Sequence, residues 1–128
     1  MLGIDTNVLV RYLTGDHPEQ SAKARALLVD NDIFISTTVL LECEWVLRRL
    51  YEFTNAETIA VLRAIAGLPN ITVENAPLLA DALDCAETGM DLADALHLGS
   101  AGHCTSFLTF DRKFIRAAAG RNPEVMEP

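Results

Sequence analysis

The sequence predicts an α/β domain: a three-layer α/β/α sandwich built on a short central parallel sheet of four or five strands. Two observations carry this. Short β-like apolar runs alternate with helical stretches along the chain, and strands separated by helices imply right-handed crossovers and parallel pairing. The 128 residues are 50% hydrophobic and 22% charged, enough for one domain with its own core and unlike a disordered or fibrous chain. No repeat, low-complexity tract or linker divides the sequence, so residues 1–128 are expected to form a single domain.

The elements follow in order. Leu2 to Ile4 is a short apolar strand ending at Asp5, and Val8 to Leu13 a short helix closed by Gly15. Asp16 can cap the next helix, with Pro18 in its first turn and an end near Asp30. Ile33 to Ser36 is the second strand, followed by a helix from about Thr37 to Tyr51. Thr54-Asn55-Ala56-Glu57 is a capping box for a helix that stops near Gly67 and Pro69. Ile71 to Val73 is the third strand. Asn75 caps a helix ending at Gly89, and Asp91 opens another that runs to about Gly102. Thr105 to Leu108 is the fourth strand, Asp111 starts a last helix closed by Gly120, and the tail from Arg121 is a candidate edge strand.

Composition narrows the class further. Cys43, Cys85 and Cys104 are an odd number without a CxxC pair, which suits reduced thiols in the cytoplasm. Met1 to Asp5 has no basic region or leader, so no secretion is expected. The longest run free of Asp, Glu, Lys and Arg, Ala95 to Phe110, holds two His, two Ser, two Thr and two Gly and is a poor membrane span. The net charge of −8 argues against nucleic acid bound by bulk electrostatics alone. An acidic cluster can still hold a cation that bridges to phosphate, so the placement of the acids decides.

In α/β folds, sites form beyond the carboxyl ends of the strands. Asp5 and Asp111 both stand there. Asp5 begins Asp-Thr-Asn, three good N-caps in a row; Thr6 or Asn7 can cap, which leaves Asp5 free. Glu42 lies beside the apolar stripe Val39, Cys43, Val46 and Leu50, whereas Glu44 and Arg48 point away and can pair at i, i+4. Glu44 therefore reads as a solvated residue. Glu42 reads as a carboxylate at a core margin, which needs a partner, a cation or a stem that snorkels to water. Asp91 and Asp94 share one face of a helix start, where Asp91 is also an ordinary N-cap. Asp111 too can be a cap. Six of the ten basic residues follow these acids closely: Arg11, Arg48, Arg49, Arg112, Lys113 and Arg116. That suits a pocket where acids hold a cation and bases meet an anion, although surface mixing of charge gives the same pattern.

Converging carboxylates repel and raise each other's pKa. A hard divalent cation relieves this, and oxygen-only ligands select Mg²⁺ or Mn²⁺. Metal-assisted hydrolysis of a phosphodiester is the matching reaction. His97, His103 and Cys104 lack zinc spacing; His97, at i+3 from Asp94, either borders the site or packs as a neutral histidine. No Gly-rich phosphate loop or GxSxG elbow is present. Trp45, Leu47, Leu50 and Tyr51 are more apolar surface than one short helix needs, which predicts a homodimer.

The segment Ile4 to Leu13 resembles the opening of PIN-domain proteins. Thr38 to Glu42 with Trp45 to Leu47 is similar to that family's second acidic motif, Asp91 to His97 to its third and Thr109 to Phe114 to its fourth. The motifs stand in family order over residues 4 to 114. The length and lack of extra domains resemble the VapC toxins of VapBC toxin–antitoxin pairs. The resemblance implies an Mg²⁺- or Mn²⁺-dependent endoribonuclease. Asp5, Glu42, Asp94 and Asp111 would be its catalytic, metal-holding quartet, with Asp91, Thr6, Asn7 and Thr109 auxiliary; Arg11, Arg112 and Lys113, by their place beside these acids, are expected to meet the RNA phosphates. It further implies in-line attack by a metal-activated water that leaves a 5′-phosphate and a 3′-hydroxyl, a homodimer, and a VapB-like antitoxin whose C-terminal segment crosses the site. The alternative is a catalytically silent PIN-like or receiver-like binding module. A receiver needs paired acids after its first strand and a lysine after its last; here Asp5 precedes Thr6-Asn7 and the last strand precedes Phe110-Asp111.

Overall fold

In the computed structural model, which describes residues 1–128, strands and helices follow one another in the predicted order. Contacts divide the chain into two compact units, Met1–Ala76 and Pro77–Pro128. All strand pairing is parallel: three strands in the first unit and two in the second. No helix is long and apolar enough to cross a membrane.

The first unit runs β1 (Leu2–Gly3), α1 (Thr6–Thr14), α2 (Pro18–Asp30), β2 (Ile33–Ile35), α3 (Thr37–Leu50), α4 (Asn55–Ala66) and β3 (Ile71–Val73). Its sheet has the order β1-β2-β3, with Leu2 opposite Ile33 and Ile33 opposite Ile71. Ile33 and Ile35 on the central strand are fully buried, as the near-continuous apolar composition of a parallel strand requires. Leu9 of α1, Leu40 and Leu47 of α3, and Leu62 and Ile65 of α4 complete this core at 3.6-residue spacing. Gly15 ends α1 in the left-handed conformation, φ 65°, which lets the chain turn at once into α2. The capping box Thr54/Glu57 is formed as predicted, and its backbone hydrogen bonds hold the Glu57 carboxyl below the usual range.

Three local expectations are corrected here. His17, not Asp16, caps α2: its Nδ1 accepts from the Gln20 amide at 3.1 Å. Ser36 caps α3 rather than extending β2. The buried stripe of α3 is Leu40, Cys43, Glu44 and Leu47, one position round from the predicted Val39, Cys43, Val46 and Leu50. Glu44 is thus buried and pairs with Arg48, while Glu42 is exposed. Leu47, expected in a dimer surface, is fully buried in the core; Trp45 and Leu50 are exposed, at 50% and 68%.

The second unit contains nearly all of α5 (Ala76–Glu87), then α6 (Leu92–Ser100), β4 (Ser106–Leu108), α7 (Arg112–Ala117) and β5 (Glu124–Met126). The tail strand pairs in parallel with β4, Phe107 opposite Val125. The rings of Phe107 and Phe114 meet at 5.5 Å and fasten α7 to β4. Helices α5 and α6 approach closely: a Cβ on Gly99 would stand 2.4 Å from the Leu78 side chain. Cys43 and Cys85 are free and buried. Burial, with a smaller contribution from Glu44, pushes the Cys43 thiol up to about 12, so it is an inert core group.

Candidate functional site

Asp5 leaves β1 and is itself the N-cap of α1, contrary to the expectation that Thr6 or Asn7 would cap. Its Oδ1 accepts from the Thr6 amide at 2.8 Å, and its backbone carbonyl accepts from Val8 and Leu9. The carboxylate lies at the N-terminal end of the helix, and its second oxygen makes no protein hydrogen bond. Capping and ligand binding therefore do not compete for the same atom. One turn into α3, Glu42 reaches the same place: Asp5, Glu42, Thr6, Asn7, Val10, Arg11, Val46, Leu50 and Tyr51 line a cavity of about 310 Å³. The first unit thus gathers two predicted acids, both auxiliary polar residues of the first motif and one predicted RNA-binding cation.

Arg11 is not loose in that cavity. Its Nε donates to Gln20 Oε1 at 2.9 Å, and its Nη1 donates to the Tyr51 hydroxyl at 3.1 Å and to Asp16 Oδ1 at 3.4 Å. The Tyr51 hydroxyl donates in turn to Asp16 Oδ2 at 2.6 Å, and Thr14 donates to Asp16 Oδ1. These hydroxyl bonds, then Arg11, hold the Asp16 carboxyl below the usual range. Sequence reading gave Asp16 to a cap and Tyr51 to a dimer surface. The partners lie 35 and 40 residues apart in sequence, beyond any periodic signal.

At Glu74, just past β3, a carboxylate oxygen accepts the Thr37 amide at 3.0 Å and so satisfies the exposed start of α3. That acid has a structural role.

The second unit gathers the other acids. Asp91 caps α6: its Oδ1 accepts from the Ala93 and Asp94 amides at 2.9 and 3.4 Å. Asp111 caps α7 in the same way, accepting from Lys113 and Phe114 at 3.0 and 3.2 Å. Thr109, an expected auxiliary residue, accepts the Asp111 amide through its hydroxyl at 3.1 Å and fixes the turn that presents that carboxylate. Asp94 differs from both. It is half-buried in the first turn of α6, and its carboxylate makes no hydrogen bond or ion pair. Burial raises its carboxyl above the usual range, the charges of Asp91 and Asp111 add to this, and His97 opposes it. Nearby positive charge would relieve this shift. Lys113 and Arg112 are exposed at the start of α7, and Arg112 pairs with Glu127 at 3.2 Å. That pair is solvated and easily exchanged for a phosphate.

In each unit the candidate donors are carboxylate oxygens, the ligand type a hard divalent cation takes. No three Asp, Glu, His or Cys side chains are drawn together as a ready ligand set; Asp5 and Glu42 line one cavity, and Asp94 feels the charges of Asp91 and Asp111 without forming a cluster with them.

With an α/β fold of parallel strands and acids at strand ends and helix starts, a family comparison becomes interpretable. The PIN domain model matches residues 3–120, and the chain belongs to the PIN-domain family. PIN domains are generally nucleases and commonly use divalent metals. No curated protein matches the chain.

Proposed function

We propose that the chain is a Mg²⁺- or Mn²⁺-dependent endoribonuclease, the toxin of a VapBC-type pair, acting in the cytoplasm as one domain over residues 1–128. The observation that carries this reading is Asp94, a half-buried carboxylate without a side-chain partner, whose ionisation is opposed by burial and then by the charges of Asp91 and Asp111. A bound cation would relieve that opposition.

In this reading Asp5, Glu42, Asp94 and Asp111 supply the oxygen ligands. A divalent cation, when bound, offsets phosphate charge and acidifies a water. Asp91 and Thr109 hold the backbone at the first turns of α6 and α7, from which Asp94 and Asp111 project. Thr6 and Asn7 shape the cavity at Asp5, while Arg11, Arg112 and Lys113 bind the RNA backbone. Water must approach phosphorus in line, opposite the departing 3′-oxygen, to leave a 5′-phosphate and a 3′-hydroxyl. The side chains orient that geometry.

The test is incubation of purified protein with a mixed RNA pool in EDTA, Mg²⁺ or Mn²⁺. Cleavage is expected only with metal, and its products should accept a ligation adapter at the 5′-phosphate. Absence of cleavage under every condition would leave a binding module in its place.

Assembly belongs to the same reading. Trp45 and Leu50, both exposed on α3, are proposed to pack in a homodimer, and a VapB-like antitoxin to lay its C-terminal segment over the Asp5–Glu42 cavity. Light scattering should give twice 14.0 kDa. A Trp45→Glu variant should give the monomer mass, and a wild-type monomer at micromolar concentration would remove the dimer.

A further inference from the structure

The Arg11 guanidinium has five N–H donors. Nε and Nη1 are spent on Gln20, Tyr51 and Asp16, while Nη2 makes no hydrogen bond in the protein. The side chain is only 29% exposed, so its rotamer is set by these partners rather than by solvent. It lines two cavities at once. One is the 310 Å³ cavity of Asp5 and Glu42; the other, of about 410 Å³, lies between α1 and α2 and is lined by Asn7, Val8, Gln20, Lys23, Ala24 and Leu27 as well. Lys23 brings a second cation to this otherwise largely apolar groove, in a chain of net charge −8.

The Tyr51 end of the network is also fixed. Tyr51 is the C-cap of α3. The turn after it closes with Glu52 at φ 56° and the Phe53 amide donating to the Leu47 carbonyl at 3.0 Å. A left-handed non-glycine residue carries a small backbone cost, and here the turn sets where the Tyr51 hydroxyl stands.

We propose that Asp16 and Tyr51 are positioning residues that set Arg11 as a fixed phosphate clamp on the ridge between the two cavities, so that single-stranded RNA passes from the Asp5–Glu42 cavity into the α1–α2 groove. This rests on the ribonuclease reading for its ligand, but not on cleavage. The clamp holds one edge of the guanidinium in the protein and offers Nη2 to a backbone phosphate. Pre-setting the fork lowers the side-chain entropy lost on binding. Asp16 is the decisive residue because its two possible effects have opposite signs. As a bare charge it repels RNA, and its removal takes the net charge from −8 to −7, which favours binding. As a positioning residue, its removal frees Tyr51 and Arg11 and weakens binding.

The experiment is fluorescence anisotropy of a short fluorescein-labelled single-stranded RNA of mixed sequence, without divalent metal, against a salt series. Asp16→Ala and Tyr51→Phe are each expected to weaken binding about fivefold, the worth of one hydrogen bond, with melting temperature checked in parallel. Arg11→Ala is expected to lower the log–log salt slope by about 0.7, one phosphate contact on a single strand. In the Arg11→Ala background the other two substitutions should cost nothing further. Tighter or unchanged binding by Asp16→Ala would overturn the proposal. So would a full Tyr51→Phe penalty without Arg11, or a wild type that does not bind the RNA. RNA cleavage that ignores all three substitutions would overturn the clamp and leave the nuclease. Binding with the expected pattern but no cleavage would do the reverse.

Discussion

Asp94→Asn is expected to reduce RNA turnover about a hundred- to a thousandfold, the usual cost of removing one preorganised charge from a transition state, while RNA affinity changes little. The substitution is nearly isosteric and stays within the first turn of α6, where the Asp91 cap is untouched. Single-turnover cleavage against anisotropy separates the two quantities. A folded variant cutting at the wild-type rate would remove Asp94 from the chemistry. The same substitution has a second consequence, of opposite sign, for the fold. Burial first, then Asp91 and Asp111, raise the Asp94 carboxyl, so the folded state holds that proton more tightly than the unfolded chain. The stability linked to this group is complete below the unfolded-state pKa and is lost as pH rises through the raised folded value. Asparagine carries no such charge. Metal-free Asp94→Asn should therefore melt above wild type at neutral pH, and the gap should close as pH falls toward the ordinary carboxylate range. Added Mg²⁺ should stabilise wild type more than the variant.

The same residues show why parts of this molecule are readable from sequence. Asp5, Asp91 and Asp111 are legible because each is of a type that both caps a helix and ligates a cation; Asp5 and Asp111 stand where an apolar run gives way to a helix, and Asp91 opens a helix after the Gly89 turn. Their motif order carries the family. The capping box at Thr54 and the parallel strand at Ile71–Val73 are local facts of composition and were legible for that reason. Three things were not. The Arg11–Tyr51–Asp16 network joins side chains from α1, the C-cap of α3 and the α1–α2 connection, and no spacing rule reaches from there to Tyr51. The grouping of strands as three and two depends on which backbones hydrogen-bond, to which side-chain pattern is blind. The third is the face of α3. A wheel drawn through Val39, Cys43, Val46 and Leu50 is as apolar as one through Leu40, Cys43 and Leu47. What tipped the balance is that Glu44 can be buried with Arg48 one turn on, a pairing that the same wheel read as a surface feature.

That reversal makes a paired expectation with a large effect. Glu44 is buried at 5% exposure and accepts from Arg48 Nε, whose side chain keeps 32% of its exposure. Removing one partner of a fully buried pair costs about 3–5 kcal/mol, and the wet side of Arg48 reduces this to about 2 kcal/mol for Glu44→Ala. Glu42, exposed on the cavity wall, has no such partner. Glu42→Ala should leave stability within about 0.5 kcal/mol of wild type and yet lose most of the RNA cleavage, because it takes a ligand oxygen from the site. The two substitutions are two residues apart on one helix and should separate cleanly: one lowers the urea midpoint and leaves the folded fraction active, the other leaves the midpoint and stops turnover. If Glu42→Ala costs more stability than Glu44→Ala, the faces of α3 are assigned the wrong way round. If it cleaves like wild type, Glu42 has no part in the site, and the acids left to hold the cation are Asp5, Asp94 and Asp111.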